Sequence, residues 1–174
     1  NGTDSVTTNN DTDTWDAQQV TVNLARADLD ATLSDAVAGT YYQGQNVLVT
    51  HRTFNIGERV TGNVRLEFRA STNTIISDFD TLMEERFYGP LAVGSSIWVA
   101  SSVQIPANLT PGNYYIGTIV EEDSGTESII SNNWVSDTDT ITVLECPPDI
   151  NKDGTLNFFD VSAFLAAFNA MDPV

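Results

Sequence analysis

This sequence is poor in the residue types on which catalysis and nucleic-acid binding usually depend. It contains one histidine, His51, and one cysteine, Cys146. A single thiol excludes an internal disulfide and any multi-cysteine zinc site. His51 alternates in phase with Val47 and Val49 in NVLVTHRTF, which reads as a packed or rim position on a strand rather than a general base. The chain has 7 Lys and Arg against 24 Asp and Glu, a formal charge of −17. That balance leaves no basic face to neutralise phosphate, so nucleic acid is not an expected partner. It also repels the chain from anionic membrane surfaces, and no apolar run reaches the length that crosses a bilayer. No nucleophile-elbow serine and no phosphate-cradling glycine loop is present. Glu84 and Glu85, like Glu121, Glu122 and Asp123, are acid groups that could be drawn as a glycosidase pair. Neighbouring side chains on a strand point to opposite faces, however, and surface solvation accounts for them. The expectation is a protein that is not an enzyme.

What remains is acid, small polar residues and strand-length apolar alternation. The acid keeps the chain dispersed and attracts cations. Residues 1–14 (NGTDSVTTNNDTDT) are polar and without apolar period, the composition of a flexible tail. Val20, Val22 and Leu24 then alternate as a strand would, and Leu29, Ala31 and Leu33 alternate again after a break. Further on, Val64, Leu66 and Phe68 face away from Arg65, Glu67 and Arg69. Ile97, Val99, Val103 and Ile105 repeat the pattern, Tyr114 to Val120 suits a central strand, and Ile141 and Val143 form the last. Pro90, Gly94, Pro106, Pro111 and Gly112 punctuate the connections. These features predict an all-β fold: an antiparallel sandwich of about seven strands plus an extra N-terminal strand.

The stretch with the most specific chemistry is residues 149–160, DINKDGTLNFFD. Asp149, Asn151, Asp153, Thr155, Asn157 and Asp160 fall at positions 1, 3, 5, 7, 9 and 12 of a twelve-residue loop, with Gly154 at the sharp turn. A hard cation of calcium's size takes six to eight oxygens, and alternate residues of a curled loop aim theirs at one point. Thr155 would give its backbone carbonyl and the others their side chains. Asp160 stands where such loops usually carry Glu, so the loop must close more tightly to reach the ion. Beyond it Val161, Phe164, Leu165 and Phe168 fall at i, i+3, i+4 and i+7, an apolar stripe on a helix of some ten residues. A helix that short needs a docking partner. The acids Glu121, Glu122, Asp123 and Glu127 offer oxygen for a second calcium site, but they lack regular spacing and read as solvated turn residues.

The run D-x-N-x-D-G-x-L-N-x-x-D followed by an apolar helix resembles the calcium loop of type I dockerin repeats. That resemblance covers residues 149 to about 170 and one repeat, where dockerins usually carry a pair. The series YYQGQNV, TFNIG, SDFDTLM, GPLAVGSS, IPANLTPGNYYIG and ESIISNNW looks like the bacterial cell-adhesion-related domain CARDB, over residues 27 to 144 or so. It implies an immunoglobulin-like sandwich, non-catalytic, in secreted or surface proteins. The expected organisation is residues 1–25 as tail and extra strand, 26–145 as sandwich, and 146–174 as calcium loop and amphipathic helix. The lone Cys146, beside Pro147 and Pro148, marks the last boundary. The chain opens on Asn1 rather than Met, as expected after removal of a signal peptide or other trimming.

The expectation is an extracellular or cell-surface structural module that binds calcium and joins protein partners, including copies of itself. An N-terminal strand that adds to the sheet edge of another copy would give a head-to-tail filament. The alternatives are an accessory dockerin-bearing fragment of a secreted polysaccharide-degrading enzyme, and a carbohydrate-binding sandwich using Trp15, Trp98 and Trp134.

Overall fold

A computed structural model describes residues 24–123, 125, 127–145, 150, 151, 153, 155 and 157–171. Within them the chain forms β1 (Leu29–Ala36), β2 (Thr40–Tyr42), β3 (Asn46–Asn55), β4 (Val64–Ser71), β5 (Thr81–Tyr88), β6 (Ser96–Gln104), β7 (Gly112–Glu122), β8 (Trp134–Leu144) and the helix α1 (Phe158–Met171). The strands make two facing sheets, ordered β1-β3-β6 and β2-β8-β7-β4-β5. The fold is the expected all-β sandwich, with eight strands among the described residues rather than about seven. The expected extra strand around Ala17 to Leu24 lies almost wholly outside those residues.

Period-two alternation builds the core. Val47 and Val49 of β3, Leu66 and Phe68 of β4, Ile116 and Val120 of β7, and Ile141 and Val143 of β8 all point between the sheets and are buried. Each such side chain removes enough apolar surface from water to stabilise the fold by about 1.5–3 kcal/mol. His51 continues the inward row of β3. Its Nδ1 lies 3.2 Å from Thr118 Oγ1 and its Nε2 2.9 Å from Thr53 Oγ1. Burial pushes its pKa down to about 4, outweighing the backbone hydrogen bond at Leu33, so the ring is neutral at pH 7. The packed-position reading of His51 is thus what the structure shows.

Two departures from simple alternation have local causes. β1 bulges between Ala31 and Leu33, which turns Ser34 inward and leaves Leu33 half-exposed. Ser34 Oγ then donates to the Ile116 carbonyl of the opposite sheet at 3.0 Å. On β4, Glu67 and Arg69 face away from the core as expected, yet both are buried. The connection to β5 covers them: Arg69 donates to Glu67 and to the carbonyls of Asp78 and Asp80. Ile76 of that connection seats on Gly117, where a Cβ would come within 2.2 Å of Ile76 Cγ1. Only glycine admits so close an approach. The sandwich is otherwise antiparallel, but the three-residue β2 runs parallel to β8. The chain reaches it by leaving the small sheet after Ala36, and the Gly39 carbonyl takes the Thr142 N–H at 2.9 Å.

Candidate metal centre

α1 begins at Phe158 because Asn157 caps it. Asn157 Oδ1 accepts the Phe159 N–H at 2.7 Å, and Asp160 Oδ2 accepts the Asn157 N–H at 2.7 Å. The two side chains satisfy two backbone donors that a helix start leaves open, the reciprocal arrangement of a capping box. The preceding loop curls by the same device. Asn151 Oδ1 accepts from Asp153 N–H at 3.0 Å, and Asp153 Oδ1 accepts from Thr155 N–H at 2.9 Å. Asn157 Nδ2 donates to the Thr155 carbonyl at 3.0 Å, and Asn151 Nδ2 to Asp153 Oδ2 at 2.9 Å.

Asp160 closes this loop. It is 2% exposed on a helix whose apolar residues are not covered, because its carboxylate turns back into the loop. Its second oxygen, Oδ1, reaches the Asn151 N–H at 3.4 Å. The oxygens of Asn151, Asp153, Thr155, Asn157 and Asp160 are thereby gathered along one curl of chain. The donor set of carboxylate, amide and backbone carbonyl oxygen, with neither nitrogen nor sulfur, fits calcium. Asp149, the expected first ligand, lies outside the described residues, as do Gly154, Leu156 and Cys146. Among the described residues no three His, Cys, Asp or Glu side chains converge as a metal site, and the loop brings two carboxylates, Asp153 and Asp160. The same contacts also serve as turns and a helix cap without any ion.

α1 runs fourteen residues. Phe158, Phe159, Val161, Phe164, Leu165 and Phe168 are all exposed. The Phe164 and Phe168 rings stack on each other at 6.1 Å, and nothing among the described residues covers them.

The other acidic candidates are held apart. Glu84 pairs with Arg86 at 2.8 Å and Glu85 with Arg65 at 3.1 Å. Glu121 also pairs with Arg65, whose guanidinium is held further protonated chiefly by that hydrogen bond. Glu122 is buried against Arg59 and the Gly62 N–H, and Asp123 accepts from Asn63. Of the described tryptophans, Trp98 and Trp134 form no common platform. Trp98 stands on the small sheet beside Arg52, 5.0 Å from the ring centroid to the guanidinium carbon. Trp134 belongs to the large sheet, paired with Ile119, and Trp15 is outside the described residues. Sequence reading weighed Glu127 as a turn residue and passed over Asp28, Asn132 and Asn133, which the fold brings to it.

No helix of the described residues is long and apolar enough to cross a membrane. No protein family and no curated protein matches the sequence. Among solved structures, the chain is similar to the CARDB domain of the PF1109 protein from Pyrococcus furiosus, crystallised in complex with di-metal ions. The identity is 13% and the TM-score 0.49, over 72% of this chain and 95% of that one. A domain spanning residues 272–376 of a Methanosarcina acetivorans protein, described as a cell surface protein, aligns at 13% identity and TM-score 0.47, covering 68% and 93%.

Proposed function

We propose that this chain is a non-catalytic extracellular or cell-surface structural module that binds calcium through its C-terminal loop and joins protein partners, the first of them a second copy of itself. The observation that carries the reading is the apolar side of α1: Phe158, Val161, Phe164, Leu165 and Phe168 stand in solvent along it, with Phe159 exposed on the other side. Apolar surface gains about 25 cal/mol per Å² when covered, and a helix of this length is marginal alone. A partner surface gives α1 both cover and stability. Calcium on Asp149, Asn151, Asp153, Thr155, Asn157 and Asp160 would stiffen the loop that presents the helix, and that is the whole of its role here.

The strand predicted around Ala17 to Leu24 would supply the other half of a head-to-tail contact. β5 and β6 are edge strands of eight and nine residues, long enough to receive an added strand by β-augmentation. Arg86 reaches across to the Ser102 carbonyl at 3.2 Å, a side-chain contact that an incoming strand would displace. The ion pairs that separate Glu84 from Glu85, and Glu121 from Glu122, favour a structural over a catalytic use of the sandwich. Truncation of residues 1–24 tests the assembly. The expected outcome is a folded monomer where the full chain assembles; equal assembly by both would remove the N-terminal strand from the account.

A further inference from the structure

Where the loop before β8 crosses the start of β1, the fold gathers more polar oxygens than donors. Asp28 is 6% exposed and Asn133 7%, so a polar atom left unpaired there costs free energy. Asn132 Nδ2 donates to Asp28 Oδ1 at 3.0 Å, and Asn133 Nδ2 donates to Glu127 Oε2. Each amide gives its NH₂ to a carboxylate, and this choice fixes which way its carbonyl points. Asn132 Oδ1, Asn133 Oδ1 and Glu127 Oε1 are then all buried with no hydrogen-bond partner. All of them are acceptors.

The backbone holds these residues together. Ala27 and Glu127 form a parallel bridge, the Ser128 N–H donates to the Ala27 carbonyl at 2.9 Å, and the Ala31 N–H donates to the Asn132 carbonyl at 2.9 Å. The Arg26–Asp28 stretch is clamped from its other side by Gly57, where a Cβ would meet the Arg26 carbonyl at 2.5 Å. The charges acting on Glu127 are like charges. Burial first, then Glu122 and Asp28, raise its pKa to about 6, against the opposing hydrogen bonds of Asn133 and the Leu29 backbone. Glu127 and Asn133 also line a cavity of about 620 Å³ that opens to solvent beside Ile76, Phe79, Ile130 and Trp134. An ion has a way in and room for its remaining waters.

We infer that Glu127, Asn133, Asn132 and Asp28 bind a divalent cation of the hard, oxygen-ligated class, calcium rather than magnesium, at a site separate from the C-terminal loop. Amide and carboxylate oxygens are the ligands calcium takes, and its variable geometry suits an irregular set where magnesium demands a near-ideal octahedron. A cation is the partner that buried acceptors lack, and it offsets the repulsion among the acids, whereas a single water has only two protons to give. The ion ties the Arg26–Asp28 stretch to the 127–133 loop.

Equilibrium dialysis of the full chain against calcium alone, counting bound ions per chain, tests this. Asp153→Ala should remove the C-terminal loop's ion and leave this one. Glu127→Gln should bind one ion fewer than the unsubstituted chain and leave the loop's ion in place. An unchanged count in a Glu127→Gln variant that remains folded by circular dichroism overturns the site. Asn133→Asp decides the matter should Glu127→Gln fail to fold. With a cation present the added carboxylate is another ligand, and affinity at this site rises on the order of tenfold, the equivalent of about 1.4 kcal/mol. If water fills the site instead, Asn133→Asp lowers the melting temperature equally in calcium and in chelator, and the inference fails.

Discussion

The sandwich and the C-terminal loop with its helix use the same apolar residues to opposite ends. Phe68 of β4 is wholly enclosed between two sheets, while Phe158 of α1 is 75% exposed. In the sandwich, each inward row meets a row from the facing sheet, so the chain supplies its own cover. In α1 the row is equally apolar and nothing described in the chain lies over it. An apolar stripe therefore says that a face seeks cover, and the fold alone says where that cover comes from.

The widest gap between the two regions should appear on truncating one phenylalanine in each. Phe68→Ala should lower stability by about 3–5 kcal/mol, as expected for an aromatic side chain removed from a packed core. Phe164→Ala should leave the chelated monomer's denaturant midpoint nearly unchanged. Comparable losses from both would mean that α1 is packed on its own sandwich. Acid, applied in chelator, should act on the sandwich next through two groups of opposite sign. His51 has its folded pKa lowered to about 4 from 6.5, so its contribution is present above pH 6.5 and is lost as the pH falls toward 4. The shift corresponds to roughly 3 kcal/mol at full loss. Glu127, raised to about 6 from 4.5, has the opposite sign: its protonated form favours the fold below pH 4.5, and that contribution is lost as the pH rises through 6. Denaturant midpoints of His51→Gln against the unsubstituted chain from pH 7.5 to 4 separate the two; a pH slope unaltered by the substitution would remove His51 as the cause.

A smaller effect sharpens the account of the sandwich's outer cover. Gly117→Ala forces a Cβ against Ile76 and should cost about 1–3 kcal/mol, the range of an overpacked site. Ile76→Ala in the same chain should restore part of it, and a double variant no more stable than Gly117→Ala would point to the backbone instead. Smallest is the loop. In chelator, Asp160→Ala should cost about 1 kcal/mol or less of helix stability through its part in the capping box, seen as a reduced helical signal by circular dichroism. No change in that signal would show that Asn157 caps the helix unaided.

Much of the sandwich was legible because its strands alternate cleanly: β3, β6, the inward side of β4 and the Ile141–Val143 end of β8 follow the apolar period, whereas the polar first half of β8 does not. β5 was not, since TLMEERFY sets Met83 and Tyr88 against the core but interrupts them with Glu84, Glu85 and Arg86, which are held in ion pairs. β2 is too short to show any period. The bulge in β1 shifts the phase within a strand, which no fixed period anticipates. The loop's spacing at Asn151, Asp153, Asn157 and Asp160 was legible from residue type, and its capping box follows from the same residues. Asp28 gave no signal, because its bond with Asn132 joins residues 104 positions apart; Asn133 meets Glu127 six residues away, through the curl of a loop whose sequence has no period to read.

Sedimentation velocity of the full chain, first in saturating calcium and then in excess chelator, tests the proposed assembly most directly. The account predicts large species in calcium that fall apart to monomers on chelation. A single monomeric boundary in both conditions, at high protein concentration, would contradict it, and the exposed face of α1 would then need a different partner.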